Sequence, residues 1–373
     1  MEKRTKLHLF TFFACNCFFG GGAIVRGILE ILFDRFDLVW HYSDEFIEQN
    51  APDPWVKENV KCIPFHITRK RRFMHTLVDL YVFYFQMPRY ARRMAKALKE
   101  DEVAWIVLEN KMIPFAYHFA KHCKCRLHIS VHDDCRNYYS VYRFIGRKRT
   151  LRYMQEIFRM AVSADVISRS LAAEYETTFG IKPVVYRRGV DISAVNVKKP
   201  VLKERYSLFF AGSSHSQKCW ELLLHKLSSF KVQFDIHLYG KAGYEKKLPC
   251  FSNVRFHAEG TLADDELLSA AAQNDLAIFF FEDLADHLLR FSISTKLTAY
   301  GRAGLPMLAI ISARSELRDL FSSGIAFDIL RSDEKEFLEW IEKFSAEDYR
   351  EYFDRNFNNN SMREAILSCK GFT

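Results

Sequence analysis

Short apolar runs alternate with longer segments of helical periodicity along most of the chain. Ala104–Leu108 is apolar throughout and precedes the helical pattern of Ile113–His122, and Arg126–Val131 is the next apolar run. Leu276–Phe281 and Met307–Ile311 are apolar runs later in the chain, and we predict a strand at each of these runs. A strand that is buried on both faces has this continuous apolar character, and its alternation with helices is typical of β-α-β units. The pattern therefore predicts parallel sheets with helices on both faces.

The N-terminal residues allow two interpretations. Leu7–Ala14 has the pattern of a buried strand, Gly20–Gly22 that of a turn, and the residues from about Ala23 to Phe33 that of a helix. A basic start followed by the apolar Leu7–Phe19 is also typical of a secretory signal peptide. We favour the strand, because removing this segment would delete the first element of a pattern that otherwise continues regularly. No segment has the pattern of a membrane span.

The pattern is interrupted once, near the middle of the chain. Residues 192–205 lack periodicity and contain Pro200 and four basic side chains, so we predict a linker there. The predicted fold is α/β, with two Rossmann-like, doubly wound domains that face each other across a cleft. We place these domains at residues 1–191 and 206–345, followed by a helical tail at residues 346–373.

Composition narrows the class of protein. Of the 373 residues, 49% are hydrophobic and 27% charged, which is ample for two cores and excludes a disordered or collagen-like chain. Nine cysteines, spread from Cys15 to Cys369, cannot all pair, so a reduced, cytoplasmic setting fits best. Cys15-x-Cys17 and Cys123-x-Cys125 lack the usual spacing of a zinc site, and we interpret them as buried thiols.

Positive charge is concentrated in the predicted first domain. The formal net charge is +8, and segments 66–99 and 143–159 together hold 15 basic residues and 2 acidic ones. Aromatic residues are interspersed with these cations, which suits an anionic membrane surface. A solvated basic face whose aromatics point into the core is one alternative, and non-specific nucleic-acid binding is another.

Ligands of open α/β sheets bind at the carboxyl ends of the strands, and one candidate site of this kind lies late in the chain. Ser292, Ser294 and Thr295 can cap a helix that begins near Lys296, and Gly304–Pro306 would end it. A helix start with free N–H groups, hydroxyls and a lysine suits a phosphate. The alternative is an ordinary capped helix with a solvated lysine.

Two further segments follow predicted strands. In Gly212–Lys218 the small residues allow a ligand to approach the backbone, and Lys218 can meet an anion, although an ordinary polar loop is the alternative. His132-Asp133-Asp134 ends a strand of the first domain. A histidine beside carboxylates suits proton transfer or a hydrogen bond to a hydroxyl, and a purely structural histidine is the alternative.

The order and spacing of several segments resemble the GT-B nucleotide-sugar glycosyltransferases, especially the family 4-like bacterial enzymes that build surface polysaccharides. The resemblance covers nearly the whole chain. The segments that carry it are Gly20–Gly22, Val131–Asp133, Ala164–Ser170, Tyr186–Asp191, Asn253–Leu267 and Lys296–Pro306. Arg188 replaces the usual asparagine of one motif. Phe291 and Ala299 stand where retaining members carry two glutamates, which leaves the stereochemical outcome open.

The resemblance implies transfer of a sugar from a nucleotide-diphosphate donor, with a UDP-sugar favoured, to a glycan or lipid-linked glycan. His132 would lie near the sugar, Asp133 or Asp134 would be the general base, and Gly21 and Gly22 would lie in a loop beside the substrates. No cofactor and no metal ion is expected. The implied donor-binding residues are Gly212, Ser213, Ser214, Lys218, Ser294, Thr295, Lys296 and Tyr300.

Two other functions remain as alternatives. A non-catalytic binding protein could keep the same fold, since the glutamate pair is missing, and a glycosyltransferase could act on DNA. We expect a cytoplasmic protein at the inner face of the plasma membrane, without a sequence-specific nucleic-acid partner.

Overall fold

The computed structural model describes residues 4–13, 20–43, 54–67, 75–109, 112–136, 147–212, 216–240, 248–262 and 264–372. The chain divides into two compact units. Unit 1 comprises Met1–Arg188 and Asn360–Thr373, and unit 2 comprises Gly189–Asn359.

Unit 1 alternates strands and helices. Its strands are β1 (Thr5–Thr11), β2 (Phe36–Ser43), β3 (Lys61–Phe65), β4 (Val103–Val107), β5 (Arg126–Val131), β6 (Ser163–Val166) and β7 (Val184–Val185). Its helices are α1 (Gly20–Leu32), α2 (Pro54–Asn59), α3 (His75–Tyr81), α4 (Met87–Ala97), α5 (Met112–Ala120), α6 (Arg147–Met160) and α7 (Arg169–Phe179). A π-helical turn, Val82–Gln86, joins α3 to α4.

The seven strands form one sheet in the order β3-β2-β1-β4-β5-β6-β7. Every described pairing in it is parallel. Strand β1 lies between β2 and β4, and all five residues of β4 are buried, as expected for a strand covered on both faces.

Unit 2 repeats this plan. Its strands are β8 (Arg205–Ala211), β9 (Gln233–Tyr239), β10 (Val254–Gly260), β11 (Leu276–Phe281), β12 (Met307–Ile311) and β13 (Ala326–Asp328). Its helices are α8 (Gln217–Ser228), α9 (Asp264–Ala272), α10 (Asp286–Phe291), α11 (Thr295–Ala303), α12 (Asp319–Ser322), α13 (Glu334–Lys343) and α14 (Ala346–Phe357). Helix α15 (Asn359–Leu367) begins at the last residue of unit 2, and its other residues belong to unit 1.

The sheet of unit 2 has the order β10-β9-β8-β11-β12-β13, again with parallel pairing between the described strands. Successive residues of β8 enter different cores: Leu208 and Phe210 pack in one cluster, and Phe209 and Ala211 in another. Helices therefore cover both faces. Two doubly wound α/β units are confirmed. Among the described residues, no helix combines the length and the apolar character that a membrane crossing requires.

Three predicted strands, Arg126–Val131, Leu276–Phe281 and Met307–Ile311, have the predicted bounds. The predicted turn at Gly20–Gly22 is wrong, because these glycines form the first turn of α1. The first N–H groups of a helix have no partner within the helix, so glycine costs less there than in its interior.

The boundaries of the two compact units differ from the predicted domain boundaries. Residues 192–205 pack on unit 2, where Val195 and Val197 are buried in the core. The backbone of Asn196 approaches Gly304 so closely that a Cβ there would lie 2.3 Å from its carbonyl oxygen. Gly304 also has φ +66°, a left-handed conformation that glycine adopts without strain.

The predicted C-terminal tail is shared between the two units. Helix α14 packs in the core of unit 2 through Tyr349, Tyr352 and Phe353, whereas the residues from Asn360 onward return to unit 1. There the ring of Phe372 lies 4.6 Å from that of His128. Residues 346–373 are therefore part of both cores rather than a separate tail.

Candidate functional site

Lys296 lies in the first turn of α11, at the carboxyl edge of the sheet in unit 2. Ser294 caps this helix: its Oγ accepts the backbone N–H of Lys296 at 3.3 Å. Thr295 is the first helical residue, and Gly304 ends the helix. Ser294 and Gly304 thus set the two ends of the element, and its first turn carries a lysine.

The side chain of Lys296 runs along the end of β8. Its Nζ lies 4.1 Å from the centroid of the Phe210 ring, and its Cε lies 3.1 Å from the place that a Cβ would take on Gly212. Burial lowers the pKa of Lys296 to about 8. A cation partly removed from water binds an anion more strongly than a solvated one, since water competes less for its charge.

Three adjacent strands end in glycines with left-handed backbones at this edge. Gly212 and Gly240 follow β8 and β9, and Gly260 is the last residue of β10; their φ values are +92°, +128° and +81°. A Cβ on Gly240 would lie 2.7 Å from the carbonyl oxygen of Gly212. A side chain therefore does not fit at Gly240, and glycine leaves the backbone accessible to a ligand at this edge.

The other predicted donor residues lie at varied positions. Ser213 and Ser214 fall outside the described residues. Lys218 is exposed in the first turn of α8, whose cap is Ser216. Ser216 donates its hydroxyl to Asp283 Oδ2 at 2.6 Å, and Asp283 has φ +56°, which is a strained backbone for a residue other than glycine. Sequence analysis missed Asp283, although it follows the apolar strand β11 closely.

Tyr300 is fully buried and supports the site from behind. Its hydroxyl donates to the carbonyl of Ile278 in β11 at 3.0 Å and accepts the N–H of Ala211 in β8 at 3.4 Å. Tyr349 donates its hydroxyl to the Tyr300 carbonyl at 2.9 Å. Tyr300 therefore fixes α11 against two strands one turn beyond Lys296, which corresponds to a positioning role rather than to donor contact.

In unit 1, His132 follows β5 and its protonation state can be assigned from its neighbours. The Ser130 hydroxyl donates to the Asp165 carboxylate, at 2.7 and 2.5 Å from its two oxygens. Since that proton is committed, the Ser130 oxygen accepts from His132 Nε2 at 3.2 Å, so Nε2 carries the proton. Nδ1 of His132 is then an acceptor, and it is buried without a hydrogen-bond partner among the described residues.

Burial lowers the pKa of His132 to about 4, and the Asp165 charge opposes this shift. The imidazole is therefore neutral at physiological pH. A neutral ring with a fixed Nε2 proton presents one unprotonated nitrogen, Nδ1, to a ligand. This arrangement suits a hydrogen bond from a sugar hydroxyl.

The two predicted base candidates have different surroundings. Asp134 is buried and held by Arg136, whose Nε and Nη2 donate to its two carboxylate oxygens at 2.8 and 3.0 Å. Arg136 also donates to Glu174. Asp134 is thus part of an ion-pair network that ties the loop to α7, and this engagement argues against a role as base. Asp133 is half-buried at the same strand end.

Sequence analysis missed a second carboxyl group at this edge. Glu109 follows β4, the neighbour of β5, and the two loops are linked because Cys135 Sγ lies 2.9 Å from the Leu108 carbonyl oxygen. Burial and the charge of Asp133 raise the pKa of Glu109 to about 8. A carboxyl group that holds its proton near neutral pH beside an ionised one is typical of sites for acid–base chemistry.

Gly21 and Gly22 lie in the first turn of α1, the helix that follows β1 in the chain. Gly22 is buried. Among the described residues, no group of three or more His, Cys, Asp or Glu side chains is arranged to hold a metal ion.

Comparison with known proteins identifies the fold. No protein-family model matches the chain, and no curated protein sequence does either. Solved structures match over almost its full length. One is the UDP-forming α,α-trehalose-phosphate synthase of Burkholderia vietnamiensis, at 10% identity and a TM-score of 0.58, with coverage of 98% of this chain and 99% of that one.

Two other structures agree. The N-terminal domain of Candida albicans trehalose-6-phosphate phosphatase covers 100% of this chain and 97% of its own, at 10% identity and a TM-score of 0.63. Anabaena HepE, solved with UDP and glucose, covers 98% of each chain at 11% identity and a TM-score of 0.57. The chain has the GT-B fold of nucleotide-sugar glycosyltransferases, which confirms the predicted resemblance at the level of fold.

Proposed function

We propose that the chain is a glycosyltransferase that moves a sugar from a UDP-sugar to a glycan or lipid-linked glycan in surface-polysaccharide synthesis. The observation that carries the proposal is the half-buried Lys296 side chain at a helix N-terminus, set against the backbone of Gly212, which has no side chain. This combination suits a diphosphate. The Burkholderia vietnamiensis synthase is UDP-forming, and HepE was solved with UDP and glucose, which favours UDP.

Unit 2 binds the donor diphosphate in this proposal. As the bond between the anomeric carbon and the phosphate oxygen breaks, negative charge grows on the leaving UDP. Lys296 and the positive end of the α11 dipole stabilise that charge from fixed positions, which is generally a large contribution to catalysis. The protein needs no metal ion for this step.

Unit 1 binds the acceptor. His132 Nδ1 accepts a hydrogen bond from a sugar hydroxyl and holds the ring in place. Asp133 removes the proton of the acceptor hydroxyl, while the oxygen of that hydroxyl forms a bond to the anomeric carbon of the donor sugar. Glu109, protonated near neutral pH, donates a hydrogen bond at the same edge.

The distribution of positive charge supports a location at a membrane. The basic residues of segments 66–99 and 143–159 suit an anionic membrane, and we propose a cytoplasmic protein bound at the periphery of the plasma membrane. Residues 68–74 and 143–146 of these segments lie outside the described residues.

Incubation with radiolabelled UDP-glucose and UDP-galactose tests the proposal. UDP release, or transfer to extracted glycolipid, is expected from the wild type and lost in Lys296→Ala. Lys335→Ala is the matched control, because Lys335 is an exposed lysine in the first turn of another helix of unit 2. UDP binding without any release or transfer would support the non-catalytic alternative instead.

A further inference from the structure

One exposed helical face of unit 1 carries a row of large apolar side chains. Leu77, Tyr81 and Phe85 follow one another at intervals of four residues, and they are 61%, 48% and 67% exposed. The rings of Tyr81 and Phe85 stack, with centroids 6.1 Å apart. Single exposed apolar residues are common on proteins, but a contiguous group indicates an interaction surface. We call these three residues the apolar stripe.

The π-helical turn keeps the apolar stripe aligned. On an α-helix of about 3.6 residues per turn, side chains four positions apart drift around the axis. The turn Val82–Gln86 is wider, so it offsets this drift between Tyr81 and Phe85. Val82 and Phe83, within the same turn, are buried. The segment is therefore fixed to unit 1 by one side and presents the apolar stripe on the other.

The apolar stripe lies at the carboxyl edge of the sheet in unit 1. Gln86 Nε2 donates to the carbonyl of His66, the residue that follows β3, at 3.1 Å. Helix α4 then returns along the sheet, where Tyr90 stacks on Phe65 at 4.8 Å. Residues 75–85 precede Gln86 in the same run of helix, so they lie toward and beyond that edge. This is also the edge at which His132 follows β5.

Cations continue and flank the apolar stripe. Arg149 of α6 donates to the Tyr84 hydroxyl, and its guanidinium lies 5.6 Å from the centroid of the Tyr84 ring. Asp79, the single acid between residues 66 and 99, is buried. The exposed cations of α4 and α6 in the described segments include Arg89, Arg92, Arg93, Lys96, Lys148, Arg149 and Arg152.

We propose that this face docks on an anionic bilayer, with Leu77, Tyr81 and Phe85 inserted into the boundary of the acyl chains and the cations against the headgroups. An apolar face bordered by Lys and Arg is the composition that binds such an interface. Nucleic-acid phosphates would use the cations but not the apolar stripe, so a bilayer fits better. The inference rests on the proposed function, since the docked edge is the one that would receive a lipid-linked acceptor.

Sedimentation of the full-length protein with lipid vesicles tests this docking. The wild type is expected to bind vesicles of phosphatidylcholine and phosphatidylglycerol, and to bind pure phosphatidylcholine far less. The double variant Leu77→Ser/Phe85→Ser should bind at least about tenfold more weakly, because the buried apolar area is lost. Leu202→Ser is the matched control, as Leu202 is 50% exposed in unit 2. Added salt should weaken wild-type binding.

Two results would overturn the docking. One is equal binding by the double variant and the wild type. The other is failure of the wild type to bind phosphatidylglycerol vesicles, with or without binding to duplex DNA. A UDP thermal shift measured on the same samples separates the two proposals: a double variant that loses vesicles but keeps the UDP shift supports docking through this face, whereas a wild type that binds vesicles but not UDP contradicts only the proposed function.

Discussion

The Lys296 side chain lies beside Gly212: its Cε atom is 3.1 Å from the place that a Cβ would take on this glycine. The lysine therefore occupies the space that a side chain at the end of β8 would need. Its charge is held over the Phe210 ring and close to the start of α11. This arrangement places a fixed positive charge beside a backbone without a side chain. We assign the donor site on the basis of this arrangement.

Gly212→Ala should weaken UDP binding at least tenfold, because the methyl group displaces the Lys296 side chain. The substitution also strains a backbone with φ +92°, at a cost of about 1–2 kcal/mol in the free energy of unfolding. Gly324→Ala is the control: Gly324 has φ +73° and nothing within 4 Å of its Cβ position. It should lose similar stability and keep its UDP affinity, as measured by calorimetry.

The affinity for UDP should fall above pH 8. Burial places the pKa of Lys296 near 8 in the free protein, and a bound diphosphate raises it, so binding above pH 8 requires uptake of a proton. The dissociation constant should rise by about fivefold between pH 8 and 9, as the protonated fraction of Lys296 falls. Lys296→Arg, which stays charged throughout this range, should bind with no such pH dependence. A pH-independent wild type would contradict the assignment.

Loss of the Ser130 hydroxyl should lower kcat while leaving UDP affinity unchanged. In Ser130→Ala the Nε2 proton of His132 has no acceptor, so the ring is free to reorient and Nδ1 no longer faces its ligand consistently. We expect a decrease of roughly tenfold in kcat. Ser163→Ala, which removes a hydroxyl bonded to His128 in the same sheet, should leave kcat near the wild-type value.

Glu109 should produce an alkaline limit in the rate. Its pKa of about 8 means that the carboxyl group loses its proton, and with it the hydrogen bond that it donates, as the pH rises through 8. At saturating donor, kcat should therefore fall above pH 8. Glu109→Gln keeps a donor group at every pH, so its profile should be flat there. An unchanged alkaline limb in this variant would remove Glu109 from the mechanism.

Unit 1 should lose stability in mild acid. Burial lowers the pKa of His41 to about 3 and that of His132 to about 4, against 6.5 for an unburied histidine. Between pH 6.5 and 4 the unfolded chain binds the extra protons, so the free energy of unfolding falls as the pH falls. The loss is about 1.4 kcal/mol per pH unit for each histidine, and His41→Gln should reduce this slope in denaturant titrations.

The sequence predicts the strands well because their apolar runs are continuous. Leu276–Phe281 and Met307–Ile311 are buried between layers, where nearly every residue must be apolar. Helix α11 is predictable for a different reason, since Ser294 and Gly304 are residues that suit a helix cap at each end. Strand β3 was missed because it lies at the sheet edge and contains Lys61 and Pro64.

The candidate site is less predictable because its chemistry depends on contacts between distant residues. Glu109 has no local signature, and its raised pKa comes from burial and from Asp133 on another strand. The sequence likewise does not reveal that Arg136 forms an ion pair with Asp134, or that Tyr300 is buried behind Lys296. Each of these facts requires the packing of the sheet to be known.

A thermal-shift comparison of the wild type and Lys296→Ala against UDP, GDP, CMP and dTDP tests the central claim most directly. UDP at about 100 times its dissociation constant should stabilise the wild type by about 2.7 kcal/mol, and Lys296→Ala should show no shift at the same concentration. Equal shifts in the two proteins, or no shift with any nucleotide at millimolar concentration, would contradict a nucleotide-diphosphate site at the start of α11.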